Sequence, residues 1–267
     1  MDAALFNGGR RRASSLTGIV TGSDEVICLG CGAPCYFGGR DSKAKGLYFA
    51  HSPVKTGAPD PSLHCPLHSK NERRFSWLKN CPRDAVAGEA LREAFLQDDA
   101  LRKAFVFCLR AMNSKPSLNA EVFSGLLRVA DGLDLWSVRG QSLVTLTILL
   151  LTLQDVRSQT RDGRDIWVRF ELHKPRGLDV VAMPPGAVLK KHFVNLDGST
   201  GQAMVKGHHH EIPMTQEQVS MIAGGADWVS PGTLASIRRR VDYARTPVLP
   251  AKADSHRPAP TKVDLLL

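Results

Sequence analysis

No stretch of this sequence is long and apolar enough to cross a bilayer, which takes roughly 20 consecutive apolar residues. The longest apolar run, LVTLTILLLTL at 143–153, is about half that length and is interrupted by threonines. The N-terminus does not read as a secretory leader either. MDAALFNGGRRRASS places an acidic residue at once and its arginines after the apolar residues, the reverse of the order such a leader needs. The expected setting is therefore cytoplasmic, with no membrane partner, and there stable disulfides are rare. Aromatic residues make up only 6% of the chain, too few for a platform of stacked bases, so Trp77, Trp136, Trp167 and Trp228 read as core anchors. Phosphate-cradling loops of the form G-x-x-x-x-G-K-[ST] or G-x-G-x-x-G do not occur, and neither does a G-x-S-x-G nucleophile elbow. The commonest nucleotide-binding and ester-hydrolysing classes thereby lose their support.

Acidic residues are also in deficit, 26 against 35 Lys and Arg, for a formal net charge of +9. A basic surface can simply keep a chain in solution. The sharper reading is an electrostatic footprint for a polyanion, most often nucleic acid. The positive charge is clustered at Arg10, Arg11 and Arg12, at Arg73 and Arg74, at Lys190 and Lys191, and at Arg238, Arg239 and Arg240. Neighbouring cations of this kind are what phosphate contacts use. On a helix, Arg238–Arg240 spread over about 200° of the surface, so one or two must face solvent while their stems cover the apolar stripe.

Cysteine is scarce, six in all, yet Cys28, Cys31, Cys35 and Cys65 fall in one Gly- and Pro-rich segment together with His51, His64 and His68. That segment has too little apolar mass for a core of its own and needs a staple, metal or disulfide. The cytosolic setting favours metal. Cys28 and Cys31 form a C-x2-C, the spacing at which two thiolates of one tight turn share a zinc ion, and Gly30 and Gly32 give that turn a permissive backbone. HCPLH at 64–68 supplies the second half, so the chain reads C-x2-C-x33-C-x2-H with Cys65 and His68. His51, in YFAH, competes for the fourth position. A redox pair should open a long helix after a strand. Here Gly, Ala, Pro and Cys35 follow instead, and Cys35 reads as a bystander or an alternative ligand. Four protein ligands leave no open position, so the expected Zn2+ folds the module and does not catalyse. Cys108 lies within a helical apolar repeat and reads as a core thiol; Cys81 has no assigned role.

VICLGCGAP followed by GLYFAHSP and a later Cys resembles the zinc-finger region of CoiA-like competence proteins, over residues 24–70. The resemblance implies a following nuclease domain with an aspartate and then Glu-x-Gln or Glu-x-Lys on the next strand, carboxylates that hold a divalent metal. Asp131 falls where the aspartate would be, but Thr147 and Leu149 stand where Glu and Gln would be needed. A second, fainter likeness is to the zinc-finger subunit of type IV CRISPR complexes, which implies a small, basic, non-catalytic subunit.

The expected fold is α+β, an N-terminal zinc-ribbon-like module on a mixed body with a helical middle. The segments are a flexible basic arm at 1–22, the zinc module at 23–70, a helical segment at 71–160, an α+β segment at 161–245 and a disordered tail at 246–267. The helical pattern runs over 69–112; Ser117 or Asn119 and then Ser142 cap two further helices. DIWVRFELH alternates as a half-buried strand, and GLDVVAM and KKHFVNL read as shorter ones. Thr215 with Gln218, and Ser230 before Pro231, mark two last helices. His208, His209, His210 and Glu211 read as an exposed loop, and His173, Lys174 and Asp179 as a chance trio. The expected function is a zinc-containing, non-enzymatic nucleic-acid-binding protein, for DNA rather than RNA. It would be one subunit, among other protein subunits, of a bacterial DNA-handling, defence or mobile-element complex. The alternatives are a CoiA-like nuclease with divergent catalytic residues and a protein–protein adaptor with a basic face.

Overall fold

The computed structural model describes residues 3–6, 9–12, 26–28, 33–39, 48–53, 61–65, 68, 78, 81–113, 118–159, 163, 165–173, 187–194, 210–213 and 215–243. Their fold is α+β. Strands β1 (Ala3–Phe6) and β2 (Gly9–Arg12) pair as an antiparallel hairpin, and β3 (Val26–Ile27) pairs with β1. The stretch expected to be a flexible arm thus contributes two strands. β4 (Cys35–Gly38) and β5 (Tyr48–His51) form a second hairpin, with Cys35 opposite His51. A 3-10 turn at Pro61–His64 follows.

Helices α1 (Ala85–Phe95) and α2 (Asp98–Met112) divide the apolar repeat, broken where Gln97 adopts an extended conformation. α3 (Ala120–Gly132) starts at Asn119, whose side chain accepts from the Val122 amide at 2.9 Å, and α4 (Leu143–Thr152) starts at Ser142, which accepts from Thr145 at 3.1 Å. Such caps satisfy amides that the first helical turn leaves orphaned. α4 is apolar on almost every side, with Leu146, Ile148, Leu149, Leu150 and Leu151 all buried, as a helix at the centre of a core must be. The same core includes Phe95, Phe107, Phe123, Leu126, Leu135 and Trp136. Gly88 of α1 lies so close to the turn at 135–137 that a Cβ there would sit 2.6 Å from the Ser137 Cα.

The C-terminal half is an antiparallel meander in the order β6 (Val156–Gln159), β7 (Asp165–His173), β8 (Val188–Val194), β9 (His210–Pro213). Ile166, Val168 and Phe170 of β7 bury one face, and Val168 and Phe170 join the helical core. α5 (Gln216–Ala223), capped by Thr215, and α6 (Pro231–Tyr243), begun by Ser230, complete the body, and Leu234, Ile237 and Val241 of α6 are fully buried. GLDVVAM, Ser117, Trp77 and the tail lie outside the described residues. Trp136 is a core residue as expected, whereas Trp228 is 57% exposed in the turn before α6. Among the described residues no helix is long and apolar enough to cross a membrane.

Candidate metal centre

Strand β3 delivers Cys28 into a turn closed by its amide, which donates to the Ala33 carbonyl at 2.9 Å. The 3-10 turn delivers Cys65, whose amide donates to Ser62, and β5 ends on His51. These three segments converge. The Cys28 and Cys65 Sγ atoms lie 3.5 Å apart, both residues are buried, and the donor atoms of Cys28, His51 and Cys65 all fall within 4.8 Å of one another. Two sulfurs bound tetrahedrally to one zinc at its usual bond length would be about 3.8 Å apart. The group is therefore a candidate metal-binding site.

Of the two histidines that competed for a place, His51 belongs to this group. His68 stacks on the His51 ring instead, with centroids 5.5 Å apart and planes 27° apart. Cys35 is buried beside the site and donates to the Ala33 carbonyl at 3.6 Å; it is not part of the donor group. Cys31 lies outside the described residues. Cys108 is fully buried in the helical core, its thiol pushed far up by burial, and it donates to the Thr147 carbonyl, as a core thiol should.

The site has a buried polar tether that the sequence did not suggest. His64, adjacent to Cys65, stacks flat on Trp167 of β7 with ring centroids 4.0 Å apart, and its Nδ1 lies 3.1 Å from Asp155 Oδ2. Asp155 in turn accepts two hydrogen bonds from Arg169, at 2.9 and 2.7 Å. All three side chains are nearly inaccessible. Burial lowers the Arg169 pKa, but the hydrogen bonds and charge of Asp155 more than offset this and raise it, so the guanidinium stays charged. His64 thus covers Trp167, and Arg169 on the same face of β7 is buried against Asp155.

The basic clusters fare unevenly. Lys191 is buried, donates to the Met112 carbonyl at the C-terminus of α2 and has its pKa lowered by burial, so it reaches no phosphate. The favourable end of the α2 dipole and that orphan carbonyl explain why a lysine is tolerated there. Lys190 pairs with Glu211 at 2.8 Å. Arg238 donates to the Leu96 carbonyl at 2.8 Å and pairs with Asp98, whose carboxyl it holds below its ordinary range. Arg239 and Arg240 are exposed and pair with no carboxylate among the described residues. Arg10, Arg11 and Arg12 lie in β2; Arg73 and Arg74, like His208, His209, Lys174 and Asp179, lie outside the described residues.

Asp131 is not poised for catalysis. Arg92 donates to it through Nε at 2.8 Å and Nη2 at 3.2 Å, and the Trp136 indole adds a third bond at 2.8 Å, all within the core. A carboxylate so committed has little left for a metal ion. Asp131→Ala is expected to cost about 3–5 kcal/mol in a denaturant melt by stranding Arg92. Wild-type protein with Mg2+ or Mn2+ is expected to leave single- and double-stranded DNA intact. Cleavage by the wild type that Asp131→Asn abolishes without lowering the melting temperature would reverse this assignment.

No family model, no curated protein and no solved structure matches this chain.

Proposed function

We propose that the protein is a zinc-stapled, non-enzymatic nucleic-acid-binding subunit, acting on DNA. In this reading Cys28, Cys31, Cys65 and His51 hold one structural zinc ion, with His68 packed behind His51. The convergence of two thiols and an imidazole in a segment poor in apolar mass supports the metal. The proximity of cations on two packed helices, Arg128 with only Glu121 acting against the charge of Arg240, carries the nucleic-acid reading. Arg128 of α3 has its pKa lowered by burial and by the charge of Arg240 on α6. Like charges held together in this way favour an arriving anion, and phosphate is the anion that arginine forks fit best.

Duplex DNA binding should then weaken with salt, log K falling by about 0.9 per phosphate contact for each decade of salt. Arg239→Ala with Arg240→Ala is expected to flatten that slope by up to about 2, similarly on unrelated sequences. Both side chains are exposed, so stability should change by less than about 0.5 kcal/mol per site. Arg238 is left in place because it ties α6 to the α1–α2 turn. Salt-dependent fluorescence anisotropy reads the result. An unchanged slope in the double variant would reduce the helix to a solvated face. No binding by wild type at low salt would hand the function to the adaptor reading, for which the exposed Trp228 and Met221 offer contact area.

A further inference from the structure

We propose that Glu171, His173 and His192 form a second metal site, separate from the cysteine centre, for a divalent transition-metal ion held by nitrogen and oxygen. Glu171 and His173 are two apart on β7 and so project from the same face of the sheet. The β7–β8 register sets His192 opposite Arg169, one diagonal step from Glu171 on that face. The donor atoms meet accordingly. His192 Nε2 lies 3.5 Å from Glu171 Oε2, His173 Nε2 lies 3.7 Å from the same oxygen, and all three donors fall within 4.8 Å of one another. Ligands bound tetrahedrally at the zinc–nitrogen distance are about 3.4 Å apart, so little movement is required to admit an ion.

The two strands are the central pair of the four-stranded sheet, which fixes the backbone under all three side chains. Two imidazoles and one carboxylate suit Zn2+, Ni2+, Cu2+ or Co2+ and suit Mg2+ and Ca2+ poorly, since those ions demand oxygen. The side chains of Glu171 and His173 are 43% and 48% exposed, so a bound ion keeps water in its remaining positions. The cysteine centre differs on both counts, being buried and rich in sulfur. Lys190, also on this face, has its own carboxylate partner in Glu211, which limits its competition for Glu171.

Full-length protein carrying one equivalent of zinc, titrated with Co2+ alone and followed by visible absorption, tests the site. The expected result is one further equivalent of cobalt with ligand-field bands and no sulfur-to-metal charge-transfer absorption. His192→Ala and Glu171→Gln, each shown by circular dichroism to remain folded, should weaken cobalt binding at least about tenfold, a loss that removal of even an indirect partner can produce. Joint replacement of His208, His209 and His210 by Ala should leave it unchanged. Failure of the zinc-loaded protein to bind millimolar Co2+, undiminished affinity in His192→Ala, or loss of binding on replacing the 208–210 run would each overturn the proposal. Metal-free protein titrated with cobalt reports the cysteine centre separately through its charge-transfer band.

Discussion

Replacing Cys65 by serine is expected to release one zinc ion per chain and to unfold the segment that carries β3, β4 and β5. Among its described residues that segment buries few large side chains of its own, chiefly Val26 and Phe49. Structural zinc contributes about 10–16 kcal/mol to a small module at neutral pH, more than such a segment holds in reserve. The helical core around α4 should survive, because Phe95, Phe107, Phe123 and Leu146 pack without it. Metal analysis with circular dichroism and a thermal melt checks both halves of the expectation: an early transition lost and a later one kept. His51→Ala should release metal more readily than His68→Ala, since only the former lies in the donor group. Zinc-free wild-type protein that melts as sharply as zinc-loaded protein would remove the metal from the account.

Asp155→Ala is the second large effect. It removes from Arg169 both of its hydrogen bonds to Asp155 and deprives His64 of a partner 3.1 Å away, inside a region closed to water. Breaking one side of a buried ion pair costs about 3–5 kcal/mol because the remaining charge keeps its desolvation penalty. A useful control lies two residues on. Arg157 pairs with Asp165 at 2.6 Å in an exposed position, and Arg157→Ala should cost less than about 1 kcal/mol. Chelator challenge supplies a readout that bulk stability does not: zinc should leave Asp155→Ala faster than wild type, since Cys65 directly follows the tethered His64. Equal release rates in the two proteins, with equal melting temperatures, would make the tether incidental.

What the sequence made legible was local. Asn119, Ser142, Thr215 and Ser230 cap the helices they precede, because a capping bond spans only three residues. The alternation in β7 correctly marked Ile166, Val168 and Phe170 as its inward face. The convergence of Cys28 with Cys65 was readable because both stand in short spacings, C-x2-C and C-x2-H, of the kind that metal sites use. The rest depended on partners far away in the chain. The choice of His51 over His68 follows from where the β4–β5 hairpin ends, and no spacing rule encodes that. Lys191 and Arg238 looked like free cations. Their acceptors, the Met112 carbonyl and Asp98, lie 79 and 140 positions away. Glu171 and His173 were visible as neighbours on a strand, but His192 joins them only through the β7–β8 register.

The tether also sets an order of events during synthesis. His64 and Asp155 are 91 positions apart, so at ordinary translation rates on the order of ten seconds separate their appearance. Cys28, His51 and Cys65 all leave the ribosome before Trp167, on which His64 stacks, has been made. On the proposed reading, a metal ion captured in that interval would close the loop between the cysteines early, shield two thiolates from oxidation and hold His64 ready for β7. The centre would then be built first and seated last.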